Sequence, residues 1–232
     1  VTELEELREL YIEDLTAETV WNGVKRTRVH QASVWTKLPS LIRLAPGIDE
    51  PFVPFVEPDR KIWVWSDIHF FHHDIIDFSD RPFIDAKQMN EHLVANFNDY
   101  VDENDVSIWV GDVGFGRDGF INELLDQCNG YKILVLGNHD VEHNEVRKLA
   151  FDEIHLLYTI STPEVDMVFT HYPMRNIKMP WFNLHGHLHA YPISTTGHIL
   201  HHNINCELQE YRPVELAELI KLAKMRLITA SM

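Results

Sequence analysis

From Arg60 onward, short apolar runs alternate with longer stretches in which apolar residues recur every three or four positions. Lys61-Ile62-Trp63-Val64-Trp65, Val106-Ser107-Ile108-Trp109-Val110 and Lys132-Ile133-Leu134-Val135-Leu136 each read as a buried strand. Met89, Leu93, Phe97 and Tyr100 share one helical face and predict a helix over 86–100. Phe120, Ile121, Leu124 and Leu125 predict another over 118–128, and a short helix is expected at 143–150. Further strands are expected near 153–160, 165–170, 181–185, 191–196 and 198–204. Pro213 opens a last helix with Leu216, Leu219, Ile220, Ala223 and Leu227 as its apolar stripe. Strand-helix alternation in the first half implies parallel pairing, because a parallel pair needs a long crossover. The later strands, with little helix between them, imply hairpins.

Residues 1–58 follow another pattern. Leu4, Leu7, Leu10, Tyr11 and Leu15 predict an amphipathic helix over 2–14. Thr16 is a candidate cap for a second helix over about 17–24, and a third is expected over about 29–38. Pro46, Gly47, Pro51, Pro54 and Pro58 then break regular structure. The division expected is a helical appendage at 1–45, a linker at 46–58 and the main domain at 59–232. Between Thr19 and Ile48 there is no acidic residue, while Lys25, Arg26, Arg28, Lys37 and Arg43 are present. Three short helices with basic side chains are compatible with a DNA-binding helix-turn-helix. A small appendage packed on the main domain is the simpler reading and is preferred.

The chain has 232 residues, 45% of them hydrophobic, enough for one substantial core. Its formal net charge of −16 argues against a general affinity for long polyanions. A small phosphorylated substrate drawn in by cations remains compatible. Cys128 and Cys206 form no CxxC pattern and are expected to be free thiols in a reducing compartment. The first residues are acidic and lack the apolar core of a signal peptide. No apolar run reaches the roughly 20 residues needed to span a bilayer. A soluble, cytoplasmic protein without membrane attachment is expected.

The chemistry lies at the ends of the apolar runs. In order, the chain presents Asp67-Ile68-His69, Gly111-Asp112, Gly137-Asn138-His139-Asp140, His171 and Gly186-His187-Leu188-His189. In α/β folds the loops at the carboxyl ends of strands gather along one edge, so side chains remote in sequence meet there. Two Asp, one Asn and four His are enough ligands for two metal ions. Oxygen and imidazole ligands without thiolate suit Mn²⁺, Fe or Zn²⁺, with Ni²⁺ also compatible; Mn²⁺ is the first choice. Two cations about 3.5–4 Å apart clamp one phosphoryl group, and water acidified by them is the nucleophile. Asp112, with two carboxylate oxygens, is the natural bridge. A lone structural metal site is usually closed and mononuclear, which this set is not.

These clusters resemble the signature of the calcineurin-like metallophosphoesterase superfamily: D-x-H, G-D, G-N-H-[D/E], H and G-H-x-H. The resemblance spans about residues 61–205 with every ligand position filled. Ser66-Asp67-Ile68-His69-Phe70, Arg81-Pro82-Phe83, His171-Tyr172-Pro173-Met174 and Tyr211-Arg212-Pro213-Val214 are similar to a small bacterial and phage subgroup of phosphohydrolases. The resemblance implies a four-layer α/β/β/α sandwich, here with an N-terminal helical extension. It implies that Asp67, His69 and His189 hold one divalent metal, that Asn138, His171 and His187 hold a second, and that Asp112 bridges them. It implies a metal-bridging hydroxide as nucleophile and His139 as the residue that stabilises the transition state or protonates the leaving group. Asp140 is a candidate for orienting His139.

His72 and His73 follow the first cluster and are expected to start the next helix, near a bound phosphate. Arg81, Arg117 and Arg175 are the other candidate phosphate contacts. Val113-Gly114-Phe115-Gly116-Arg117 departs from the G-D-x-x-D-R-G of the protein phosphatase and dinucleoside-polyphosphate branches, and the small loop is expected to open room over the metals. With no cap visible after residue 60, a phosphodiester or nucleotide-type substrate is favoured over a monoester. Trp63, Trp65, Trp109 and Trp181 are expected in the core.

Overall fold

The computed structural model describes residues 16–21, 24–29, 60–143, 148–174, 177–190 and 198–230. The main domain begins with strand β3 (Ile62–Trp65). Helices α1 (Asp74–Phe78) and α2 (Ala86–Asn98) follow, then β4 (Val106–Trp109) and α3 (Asp118–Leu125). Next come β5 (Tyr131–Val135), α4 (Asn138–His143), β6 (Glu153–His155), β7 (Tyr158–Ser161) and β8 (Asp166–Thr170). The last elements are β9 (Trp181–His185), β10 (His201–Asn203), β11 (Val214–Glu215) and α5 (Leu216–Ala230). The five-stranded sheet runs β11-β3-β4-β5-β6 and the four-stranded sheet β10-β9-β8-β7.

Alternation in the strands builds the layers. Ile62 and Val64 join Ile108, Val110, Ile133 and Val135 in one buried cluster with Met167, Phe169, Phe182 and Leu184 of the second sheet. This is the core between the sheets. Trp63 and Trp65 point the other way, into a cluster with Met89, Leu93 and Phe97 of α2 and Ile121 and Leu125 of α3. Both faces of the five-stranded sheet are covered, which is why its strands read as continuous apolar runs. Trp109 packs edge-on to Trp65 at 4.7 Å and beside Phe97 at 5.3 Å, its indole N–H donating to Ser107 Oγ. The result is a layered α/β sandwich, as the resemblance implied.

α2 is the helix most completely determined by its own sequence. Met89, Leu93 and Phe97 are buried on one face, and the Asp85 carboxylate accepts from Gln88 N at 2.8 Å. Gln88 Oε1 in turn accepts from Ile84 N, a reciprocal cap. Asp85→Ala should lower stability by about 1 kcal/mol. Urea unfolding with unchanged slope checks this, and an unchanged midpoint would remove the cap from the account.

Several expectations are corrected. β3, β4, β5 and β6 pair in parallel as alternation implied, and β7-β8 form the expected hairpin. β8-β9 and β9-β10, however, are also parallel, so neither pair is a hairpin. A helix the sequence did not predict covers Asn138–His143, with Asp140 in its first turn accepting from Gly137 N at 2.8 Å; residues 144–147 of the helix expected at 143–150 lie outside the described residues. The last helix begins at Leu216, not Pro213, since Val214 and Glu215 first pair with Val64 and Trp63. Trp63, Trp65 and Trp109 are buried, but Trp181, at the start of β9, is 37% exposed. Cys128 and Cys206 are free and buried. The strand expected at 191–196 lies outside the described residues.

The helix expected over 17–24 is replaced by a hairpin of β1 (Thr16–Trp21) and β2 (Val24–Val29), paired from Thr16↔Val29 to Trp21↔Val24. That register leaves Asn22-Gly23 between the strands, the dipeptide that most favours two-residue hairpin connections. The β-branched Thr16, Thr19, Val20, Val24, Thr27 and Val29 favour strand over helix. The helix-turn-helix over this stretch loses its first helix. The helices expected at 2–14 and 29–38 and the linker at 46–58 lie outside the described residues, apart from Val29, which ends β2. Among the described residues no helix is long and apolar enough to cross a membrane.

Candidate metal centre

The five clusters meet because the backbone stitches their loops together. Past the ends of β3 and β4 the chains stay paired: Asp67 N donates to Gly111 O, His69 N to Asp112 O and Phe70 N to Val113 O. Gly186 N donates to His171 O, joining the loops after β8 and β9. Ser66 bridges to Asn205, linking the two sheets at this edge. Asp67, His69, Asp112, His187 and His189 all have φ between 48° and 66°, the left-handed region that non-glycine residues rarely adopt. Strain of this kind persists where surrounding structure over-determines it, and here it falls on candidate ligands.

Two groups of ligand atoms result, Asp67 with His69 and His189, and Asp112 with His171 and His187. Asp112 Oδ2 lies 3.2 Å from His171 Nε2 and 3.7 Å from His69 Nε2, so one oxygen serves both groups. Asn138 Oδ1 is 3.2 Å from His171 Nε2. Asp112 Oδ1 accepts from His139 N at 2.9 Å, and His139 Nε2 is 4.0 Å from Asp112 Oδ2. His187 N donates to the Asp67 carboxylate, and the Ser66 hydroxyl, 2.5 Å from Asp67 Oδ2 and 2.6 Å from Val110 O, has one proton to share between them.

The donor set is one that calls for a cation. His171 Nδ1 lies 2.9 Å from Val110 O, which places the proton on Nδ1 and aims the Nε2 lone pair at Asp112 Oδ2 and Asn138 Oδ1. Three electron-rich atoms converge there. Burial opposes charge on His171, but the Asp112 and Asp67 carboxylates override it and its pKa is pushed up to about 10. The pocket therefore draws in positive charge. Burial tends to raise the Asp112 carboxyl, yet the neighbouring His171, by its charge and its hydrogen bond, and His139 hold it well below the usual carboxylate range. His69 is 1% exposed, and among the described residues neither of its ring nitrogens has a hydrogen-bond partner. Burial holds it neutral, with its pKa well below that of a free imidazole. A buried polar group left unsatisfied is costly, and a metal ion at Nε2 would answer part of that cost. The residues fit a pair of divalent cations.

The other candidates fall in different places. Asp140 is fully buried, and its oxygens accept from Asp112 N, Val113 N and Gly137 N, so it pins the two metal-side loops together. Arg81 is placed differently from expectation. Its side chain is fully buried, donating to the Asp67 and Ile68 carbonyls and to Glu207. It holds the centre from behind and has no free fork for a phosphate. His72 is half-buried, its ring stacked on Phe115 at 3.8 Å and 5.3 Å from His69. His73 is exposed immediately before α1. Arg117 is exposed immediately before α3. Arg175 lies outside the described residues. The loop after Asp112, expected to open space, instead carries Phe115 to 4.5 Å from the His139 ring.

Ser66, Phe115, Tyr172 and Glu207 were not singled out as site residues from sequence. The Tyr172 ring lies 4.1 Å from that of His187. Glu207 Oε1 is 3.0 Å from His189 Nδ1 and leaves Nε2 to the pocket. Nothing in the spacing of Glu207 points to His189; only the fold joins them.

The family model described as calcineurin-like phosphoesterase matches residues 60–225. An uncharacterized protein, MJ1445, of Methanocaldococcus jannaschii is 30% identical over 171 residues, 70% of this chain and 91% of the relative. The crystal structure of AQ665, a protein of unknown function from Aquifex aeolicus, superposes with a TM-score of 0.56 at 24% identity, covering 71% of this chain and 100% of that one, and so shares the fold. With two Asp/His groups at the sheet edge and the family match over most of its length, the chain belongs to the calcineurin-like phosphoesterase family, the metal-dependent phosphoesterases.

Proposed function

We propose that the chain hydrolyses phosphodiesters or nucleotide-type phosphoesters in preference to monoesters, using two divalent cations with Mn²⁺ as first choice. The observation that carries the reading is Asp112 Oδ2, shared between His69 of one ligand group and His171 of the other. Asp67, His69 and His189 would hold one ion and Asn138, His171 and His187 the second, with the Asp112 carboxylate available to both. When bound, the cations supply Lewis acidity toward the phosphoryl oxygens and acidify the attacking water.

The chain's own groups do the rest. Asp140 keeps the loops carrying Asp112 and Asn138 in register. His139, with a 29% exposed side chain and Nε2 4.0 Å from Asp112 Oδ2, is the group assigned to give a proton to the leaving oxygen. His72, His73 and Arg117 are the remaining candidates for holding the substrate. The preference for diesters rests on the absence of a cap domain among the described residues of the main domain.

Chelator-treated protein should lose hydrolysis of p-nitrophenyl esters and recover it with Mn²⁺. Bis-p-nitrophenyl phosphate and p-nitrophenyl phosphate, assayed side by side, decide the substrate class. Faster diester cleavage is expected. Cleavage of the monoester alone would overturn the preference, and hydrolysis indifferent to chelation would overturn the metal centre.

A further inference from the structure

The two ligand groups are backed by different chemistry. In the group containing His171, the proton on Nδ1 goes to a neutral acceptor, the Val110 carbonyl. In the group containing His189, Nδ1 meets a carboxylate, with Glu207 Oε1 at 3.0 Å and Oε2 at 3.1 Å. That carboxylate is itself buried, 6% exposed, and paired with Arg81 at 2.6 Å. The same guanidinium donates to Asp67 O at 2.7 Å and Ile68 O at 2.8 Å. One arginine thus grips the backbone that presents Asp67 and the carboxylate that orients His189.

We propose that Arg81 and Glu207 are a positioning pair that presets Asp67 and His189, so that capture of the ion in this group, and not of the ion in the other, depends on a buried ion pair. The inference rests on the metal centre described above. An anionic acceptor on Nδ1 fixes the tautomer, aims Nε2 at the metal and raises its basicity more than a carbonyl does. Glu207 cannot sit buried without a compensating charge, and Arg81 supplies it. The planar fork lets one side chain reach both Glu207 and the strained Asp67 loop, which a lysine ammonium on its flexible stem does not reproduce.

The test is calorimetric titration of metal-free full-length protein with Mn²⁺, and with Co²⁺ followed by its visible absorption. The parent should bind two ions. Glu207→Gln keeps the shape of the side chain and removes its charge. One ion should then bind about 10–100-fold more weakly, with the second unchanged and an altered Co²⁺ spectrum, and the thermal midpoint of the metal-free protein should fall, since Arg81 keeps a buried charge that has lost its partner. Where Glu207→Gln alone leaves Arg81 unpaired and unfolds the chain, Arg81→Met/Glu207→Gln removes the charge as well. This double variant should fold while remaining defective for the same one ion. Equal loss of both ions, parental affinity in Glu207→Gln, or parental affinity in the double variant would each overturn the proposal. A parent that binds fewer than two ions would overturn the dinuclear reading beneath it.

Discussion

Asp112→Asn should reduce phosphoester hydrolysis by about 10²–10³-fold or more, the scale of loss when a preorganised charge-stabilising group is removed, and added Mn²⁺ should not restore it. Asn matches Asp in shape and tolerates the left-handed backbone found here at φ 55°. The fold is therefore retained. What disappears is the negative oxygen placed 3.2 Å from His171 Nε2 and 3.7 Å from His69 Nε2. An amide oxygen is a weaker ligand to either cation, and the amide nitrogen, if turned inward, presents protons to both. Metal titration should show the loss alongside the kinetics. A variant that keeps two ions and more than about a tenth of parental activity, a loss under 1.4 kcal/mol, would mean that Asp112 is not the bridge.

Gly137→Ala should be nearly as severe, by a steric route. A Cβ at Gly137 would stand 2.5 Å from Asp112 N and 3.0 Å from Asp112 Cγ, and would strike Asp112 Oδ1. Asp112 N has no freedom to retreat, because it donates to Asp140 Oδ2 at 2.9 Å. The carboxylate must turn, and the metal centre loses the oxygen it shares. Activity should drop by about 10²-fold, since an ångström of misplacement at a preorganised site costs that much, with a stability loss of about 1–3 kcal/mol from overpacking. Gly119→Ala is the control: nothing lies within 4 Å of the Cβ it would add, and metal binding should be unchanged. Parental metal affinity in Gly137→Ala would show that the loop yields more easily than these contacts allow. Gly186 is under the same constraint, since a Cβ there would strike Ser66 Oγ and Asp67 Oδ2.

Much of the fold is legible in the chain because the physics is local. In β3, alternate residues enter different clusters, Ile62 and Val64 between the sheets and Trp63 and Trp65 under the helices. A run apolar on both faces marks a covered parallel strand before any coordinate is known. α2 carries its own face and its own cap. The N-terminal hairpin also has a local signal: Asn22-Gly23 between β-branched runs favours a two-residue turn. The parallel course of β8-β9 was not legible, since nothing in two short strands says which way the connection returns.

The sequence by itself determined the ligand types, their order along the chain and the kind of reaction they serve, because metal chemistry restricts which side chains will do. Tertiary structure alone decided which histidine each carboxylate faces, that Arg81 braces the centre instead of meeting substrate, that Asp140 pins loops, and that Glu207 backs His189. These are contacts between residues up to 126 positions apart. No local pattern encodes such pairings. They follow from the register of the strands and from the need of each buried charge and N–H group for a partner.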